Sequence, residues 1–161
     1  MKYTNILLCT DYSKDAESAF THALDQAVKY RAVLHIMNVI PSVNPCGIHL
    51  DESLSKEDSK KESDDQDERH RLQELGALRK VYYTRCKDIV EHLFVVKVGS
   101  PDVAIIRYAD EQAIDLIILG TAGRHEQKRL TYTKTAANVS KFANSQIITI
   151  GSPNGNQDTG P

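Results

Sequence analysis

The chain has no C-x-x-C pair, no apolar run long enough to cross a bilayer and no large excess of either charge, and each absence removes a class. Cys9, Cys46 and Cys86 are an odd number without metal or redox spacing. They read as reduced thiols rather than a disulfide framework. The first apolar run lies within residues 3 to 9 and is closed by Asp11. It is shorter than a signal-peptide core and far shorter than the ~20 residues of a membrane helix. The expectation is a cytoplasmic protein with no membrane insertion. A net charge of −2 and a pI near 6.3 give no broad basic surface for nucleic acid. His49, His70 and His125 are scattered without metal-ligand spacing.

Phosphate-binding motifs of the common kinds are also missing. No G-x-x-x-x-G-K-[ST] occurs: Lys134-Thr135 ends like one, but Thr133 stands where the glycine belongs. No G-x-G-x-x-G follows the first strand, so a dinucleotide site has no support. A phosphorylated receiver module needs clustered acids after strand one, an Asp after strand three and a Lys after strand five. The chain offers Asp11 alone, then Gly99-Ser100, then Gly151-Ser152.

What is present is a regular alternation. Residues 3–9, 33–39, 92–98, 116–120 and 146–150 are short apolar runs without polar alternation, the pattern of buried parallel strands. Between them, apolar residues recur at steps of three and four. Behind Ser13, a natural N-cap, they fall at Ala16, Ala19, Phe20, Ala23, Leu24, Ala27 and Val28. Leu72, Leu75, Leu78, Val81 and Tyr82 predict a second helix over about 72–90. Ser100-Pro101 opens a third that buries Val103, Ala104, Ile105, Tyr108 and Ala109. A fourth is predicted over about 134–143. Five strands and four helices use the 161 residues once, giving one doubly wound α/β domain over 1–150 with a five-stranded parallel sheet.

Charge is unevenly spread. Asp51 to Glu74 holds ten acidic and five basic residues. The segment 41–68 is rich in breakers and then in charge, so it reads as a mobile acidic insertion whose other reading is a partner-binding arm. The tail 151–161 is polar and reads as disordered. His35, inside a strand, reads as a hydrogen-bonded core histidine.

In an open parallel sheet, ligands bind beyond the carboxyl ends of the strands where strand order reverses. Two such ends carry chemistry here: Thr10-Asp11 after strand one, and Gly120, Gly123 and Arg124 after strand four. Glycine admits the backbone close to a phosphate, and a helix starting near Thr133 would add free N–H groups. Arg124, Lys128 and Arg129 make that loop basic.

Three stretches resemble the universal stress protein family, over residues 2 to 150. They are ILLCTDYSKDAESAFTHALDQAVKYRAVLHIMNVI, VGSPDVAIIRYADEQAIDLIILGTAGR, and the last helix with QIITI. The resemblance implies a Rossmann-like fold of the adenine nucleotide alpha hydrolase type and a stress-response role. In the family's ATP-binding branch an Asp after strand one contacts adenine and the end of strand two gives backbone contacts. A G-x-x-G, nine residues, G-[ST] loop holds ribose and phosphates. Those roles fall on Asp11, Val39, Leu119, Gly120 and Gly123, with Arg124 opening the spacer. The closing Gly-Ser falls on Thr133-Lys134, followed by Thr135; the Thr133 or Thr135 hydroxyl and the Lys134 ammonium are the available substitutes. ATP or AMP with Mg²⁺ is the implied ligand. The alternative is a protein-interacting regulator with a vestigial site and an unknown protein partner. Tyr12, in place of a small residue, is expected to crowd the adenine side. Catalysis has least support: no His or Glu pair is placed to activate water. The resemblance also implies a homodimer through strand five, Gln146–Ile150.

Overall fold

The structure, a computed structural model, describes residues 2–43, 56–121 and 126–151, and of residues 56, 58, 59 and 126–133 the backbone alone. The elements run β1 (Asn5–Cys9), α1 (Lys14–Tyr30), β2 (Val33–Ile40), α2 (Lys56–Cys86), β3 (His92–Val98), α3 (Pro101–Glu111), β4 (Leu116–Gly120), α4 (Glu126–Phe142) and β5 (Gln146–Ile150). All strand pairs are parallel, in the order β3-β2-β1-β4-β5. This is the expected doubly wound sheet, with every strand within two residues of its predicted place.

The unbroken apolar runs follow from cover on both faces. Ile6, Leu7, Leu8, Leu116, Ile117 and Ile118 are fully buried although neighbours point to opposite sides. One face packs Ile6, Leu8, Leu34 and Ile36 against Ala19, Phe20 and Ala23 of α1 and Leu78 and Tyr82 of α2. The other packs Leu7, Met37, Ile117 and Leu119 against Ile105 and Tyr108 of α3 and Val139 of α4. His35 sits there at 3% exposure with Nδ1 2.8 Å from the Tyr108 hydroxyl, as expected of a core histidine. Burial without a charge partner lowers its pKa.

Local chemistry sets the ends. Ser13 caps α1: its Oγ accepts the Ala16 N–H at 3.1 Å. Pro101 starts α3 as read, but Ser100 makes no side-chain cap; its hydroxyl donates to Asp102 at 2.6 Å instead. At the foot of the sheet, the Asp115 carboxylate accepts from the Thr4 N–H, the Thr4 hydroxyl and the Asn5 N–H at 2.7, 2.7 and 2.9 Å. That bond set fixes the start of β1 beside the start of β4.

Three expectations are corrected. Residues 56–68, read within a mobile insertion, form the front of a 31-residue helix. No Gly or Pro interrupts the chain between Leu54 and Leu75, and Lys, Glu and Gln are good helix formers whatever their charge. α4 begins at Glu126 rather than near Lys134. Val28, Leu72, Val81 and Val103, predicted to face the core, are 50%, 53%, 41% and 62% exposed. Helical spacing names a face, but α2 is fully buried only where Leu78, Tyr82 and Cys86 pass the sheet. The remainder of the insertion, 44–55, and the tail from 152 lie outside the described residues. Among the described residues no helix is long and apolar enough to cross a membrane.

Candidate functional site

β1 is the hinge of the topology: the chain winds outward through β2 and β3, then crosses to β4 on the other side of β1. Cys9 and Leu119 are register partners, so Asp11 and Gly120 leave the sheet at the same end of adjacent strands. The two strands are neighbours as expected, but neither Asp11 nor Gly120 lines the crevice beyond them. Asp11 is half-buried, and its Oδ1 accepts the Ser13 N–H at 3.0 Å, closing the turn into α1.

The crevice beyond these strand ends is lined by Cys9, Thr10, Met37, Val39, Leu119 and Thr135, with Pro101 and Ile105 of α3 at its edge. Val39, Leu119 and Thr135 of the implied site thus meet in one place. Lys134 is exposed and is not part of that lining. The backbone of Thr133 lies inside α4, as do Lys134 and Thr135, more than a turn beyond its start. Amides that far into a helix are spent on i→i−4 bonds and are not free donors. Gly123 and Arg124 lie outside the described residues.

Gly120 has a reason of its own. A Cβ there would stand 2.9 Å from the Ala16 N, the Asp15 C and the Asp15 Cβ, so the first turn of α1 lies directly on it. The glycine lets helix and strand touch.

The crevice formed by the described residues is small. The crevice holds about 20 Å³, room for one water, where a small-molecule pocket needs about 300 Å³ or more. Asn138 of α4 donates to Asp102 of α3 at 2.6 Å, which ties these two helices together. The Ser100 hydroxyl and Asn138 together hold the Asp102 carboxyl below the usual range. Within the lining, burial pushes the Cys9 thiol up to about 12, which keeps it protonated. Among the described residues no three His, Cys, Asp or Glu side chains gather to hold a metal.

Tyr12 does not crowd this crevice. It takes a left-handed φ of 62° and turns to the opposite face, where its ring lies 6.3 Å from that of Tyr82 and its hydroxyl donates to Glu74. Burial first, then the Glu74 carboxylate, raise its pKa. Asn38 donates to the same carboxylate at 2.8 Å, and the Thr10 and Tyr82 hydroxyls are 2.8 Å apart. This network ties the end of β1 to α2. Sequence reasoning missed it, because nothing in the spacing of Tyr12 and Glu74 signals contact.

A doubly wound parallel sheet with an acid after its first strand and glycine after its fourth is a nucleotide-fold scaffold. The chain belongs to the universal stress protein family, whose sequence profile, "Universal stress protein family", matches residues 2–148. A Staphylococcus haemolyticus protein named for the same family is 26% identical over 151 residues, 93% of this chain and 86% of that one. The structure of the universal stress protein UspA from Lactobacillus plantarum superposes with a TM-score of 0.66 at 25% identity, covering 93% of this chain and 99% of that one. An Archaeoglobus fulgidus universal stress protein, solved in complex with dAMP, matches with a TM-score of 0.54 at 21% identity, over 93% and 99% of the two chains.

Proposed function

We propose that this chain is a cytoplasmic stress-response regulatory module that works through protein contacts, with its nucleotide crevice closed to ATP. The observation that carries this reading is the crevice itself: about 20 Å³ between β1, β2, β4 and α4, with Thr135 seated in it. The altered Thr133-Lys134 pair supports it, because replacing glycine removes the natural stop that would let α4 begin there. The proposed role is regulatory and carries no catalytic step; phosphate release above a no-protein control would contradict that.

A second reading is favoured by the convergence of Asp11, Val39 and Leu119 at one strand end. On that reading the crevice widens to admit the adenosine end of a nucleotide, and a monophosphate such as AMP is preferred over ATP because the tail lacks a cradle. Mg²⁺ has no role in it. Two copies pairing along the edge of β5, residues Gln146–Ile150, complete the proposed module.

The test is mass spectrometry of nucleotide released on denaturation, beside calorimetric titration with AMP and Mg-ATP. The expected result is an empty protein without heat from ATP. Thr133→Gly with Lys134→Ser should shorten α4, seen as lost helical ellipticity, and raise ATP affinity at least tenfold. Stoichiometric ATP on the unaltered protein would overturn the primary reading.

A further inference from the structure

α2 is much longer than the body it packs on. Its last turns are held by Leu78, Tyr82 and Cys86, all buried. From Lys60 to His70, in contrast, every side chain is exposed except half-buried Ser63 and Asp67. Asp67 is tied down by the Ser42 hydroxyl and the Val43 N–H at 2.7 and 2.8 Å. A polar helix of this length with so little cover is marginal in water and calls for something to lie against.

The charges along it are sorted. Lys56 to Glu68 holds seven acids and three bases; Arg69 to Cys86 holds one acid and five Lys or Arg. Favourable interaction with the helix dipole reaches only the first and last turns, so it does not account for Asp64 and Asp65, or for Arg79 and Lys80. None of these four has an ion pair among the described residues.

Beside the basic half runs an open cleft of about 660 Å³ along the edge strand β3, lined by Gly76, Arg79, Lys80 and Tyr83 of α2 and by Leu93 and Phe94. Tyr83 and Leu93 are 50% and 48% exposed. A Cβ on Gly76 would meet nothing within 4 Å. Internal packing therefore does not require this glycine, which costs about 1 kcal/mol in a helix interior. A second helix passing close by would.

We propose that two copies of this chain pair through α2, antiparallel about a two-fold axis at Leu72, each acidic half lying in the other's Arg79–Lys80 cleft. Leu72, 53% exposed, meets its own copy at the axis. In that register Arg79 faces Asp65 and Lys80 faces Asp64, and symmetry makes each pair twice. Gly76 lies one turn from the axis, where its missing side chain lets the facing helix stay close. The contact uses the β3 side of the molecule, so it is separate from pairing along β5 at the opposite edge.

Light scattering at low and high salt tests it first. The expected mass at low salt is twice that at high salt, because exposed ion pairs are screened. Arg79→Glu with Lys80→Glu should abolish the doubling, and so should Asp64→Lys with Asp65→Lys. Mixing the two variants should restore it, since both crossed contacts become complementary again. All four positions are exposed or solvent-facing, so circular dichroism should report unchanged folding. Leu72→Cys on a Cys46→Ser background should cross-link to itself on oxidation, the half-buried Cys9 and buried Cys86 thiols being pushed up to about 12 and about 11. A mass that ignores salt and charge reversal, or a Leu72→Cys chain that stays uncross-linked, would overturn the proposal and leave the cleft to an acidic partner of another kind.

Discussion

Gly120 shows how one residue carries two meanings. In the sequence it is the first glycine of a phosphate loop; in the structure it is the floor on which the first turn of α1 rests, with backbone atoms 2.9 Å from any added Cβ. Backbone cannot swing aside as a flexible side chain can. Gly120→Ala should therefore cost about 1–3 kcal/mol, the range for overpacking a filled site, read as a lower urea midpoint at unchanged slope. A loss below a few tenths would mean that α1 slides freely and the glycine is kept for another reason. Asp11 was legible because acids at strand ends are informative in this fold class. The Tyr12–Glu74–Asn38 network was not, because it joins residues 62 and 36 positions apart and only the packed fold brings them together. The same holds for Gly120, whose neighbour Asp15 is distant in sequence.

At the scale of elements, strands were read nearly to the residue and helices less well, for a physical reason. A buried parallel strand advertises itself through continuous apolar residues, as in LIILG, whereas α2 and α4 start in polar sequence where helix propensity acts without an apolar stripe. Thr133-Lys134-Thr135 looked like a helix start by likeness to a motif, but without its glycine nothing there ends the helix that begins at Glu126. The joint between β1 and β4 was legible only as Asp115 before a strand. Burial raises the Asp115 carboxyl, yet the bonds from the Asn5 N–H and from the Thr4 hydroxyl and N–H outweigh it, and the net shift is downward. With the folded value below the unfolded one, its stabilisation is complete above about pH 4 and is lost as pH falls through the depressed value. Unfolding curves should accordingly steepen their fall in that acid window. Asp115→Asn should flatten that part of the profile while lowering stability at neutral pH; an unchanged acid profile would show that the three bonds add nothing.

For the whole molecule, the order β3-β2-β1-β4-β5 leaves two sheet edges, and each has a different solution. The β3 edge is shouldered by α2 and rimmed by Arg79 and Lys80. The β5 edge has no charge at all: QIITI carries three isoleucines, each half-buried, with Gln146 and Thr149 exposed. An apolar edge of that kind pairs or aggregates unless something blocks it, and a lysine is the usual natural block. Thr149 is exposed on that strand, so a longer charged side chain there can be accommodated without disturbing the core. High salt removes the α2 contact by screening and leaves apolar edge pairing intact or strengthened, which separates the two assemblies in one experiment. At high salt the unaltered chain should sediment as a dimer and Thr149→Lys as a monomer, both with the same thermal transition shape. A monomer for the unaltered chain under those conditions would rule out pairing through β5, and a Thr149→Lys dimer would move the interface elsewhere on the molecule.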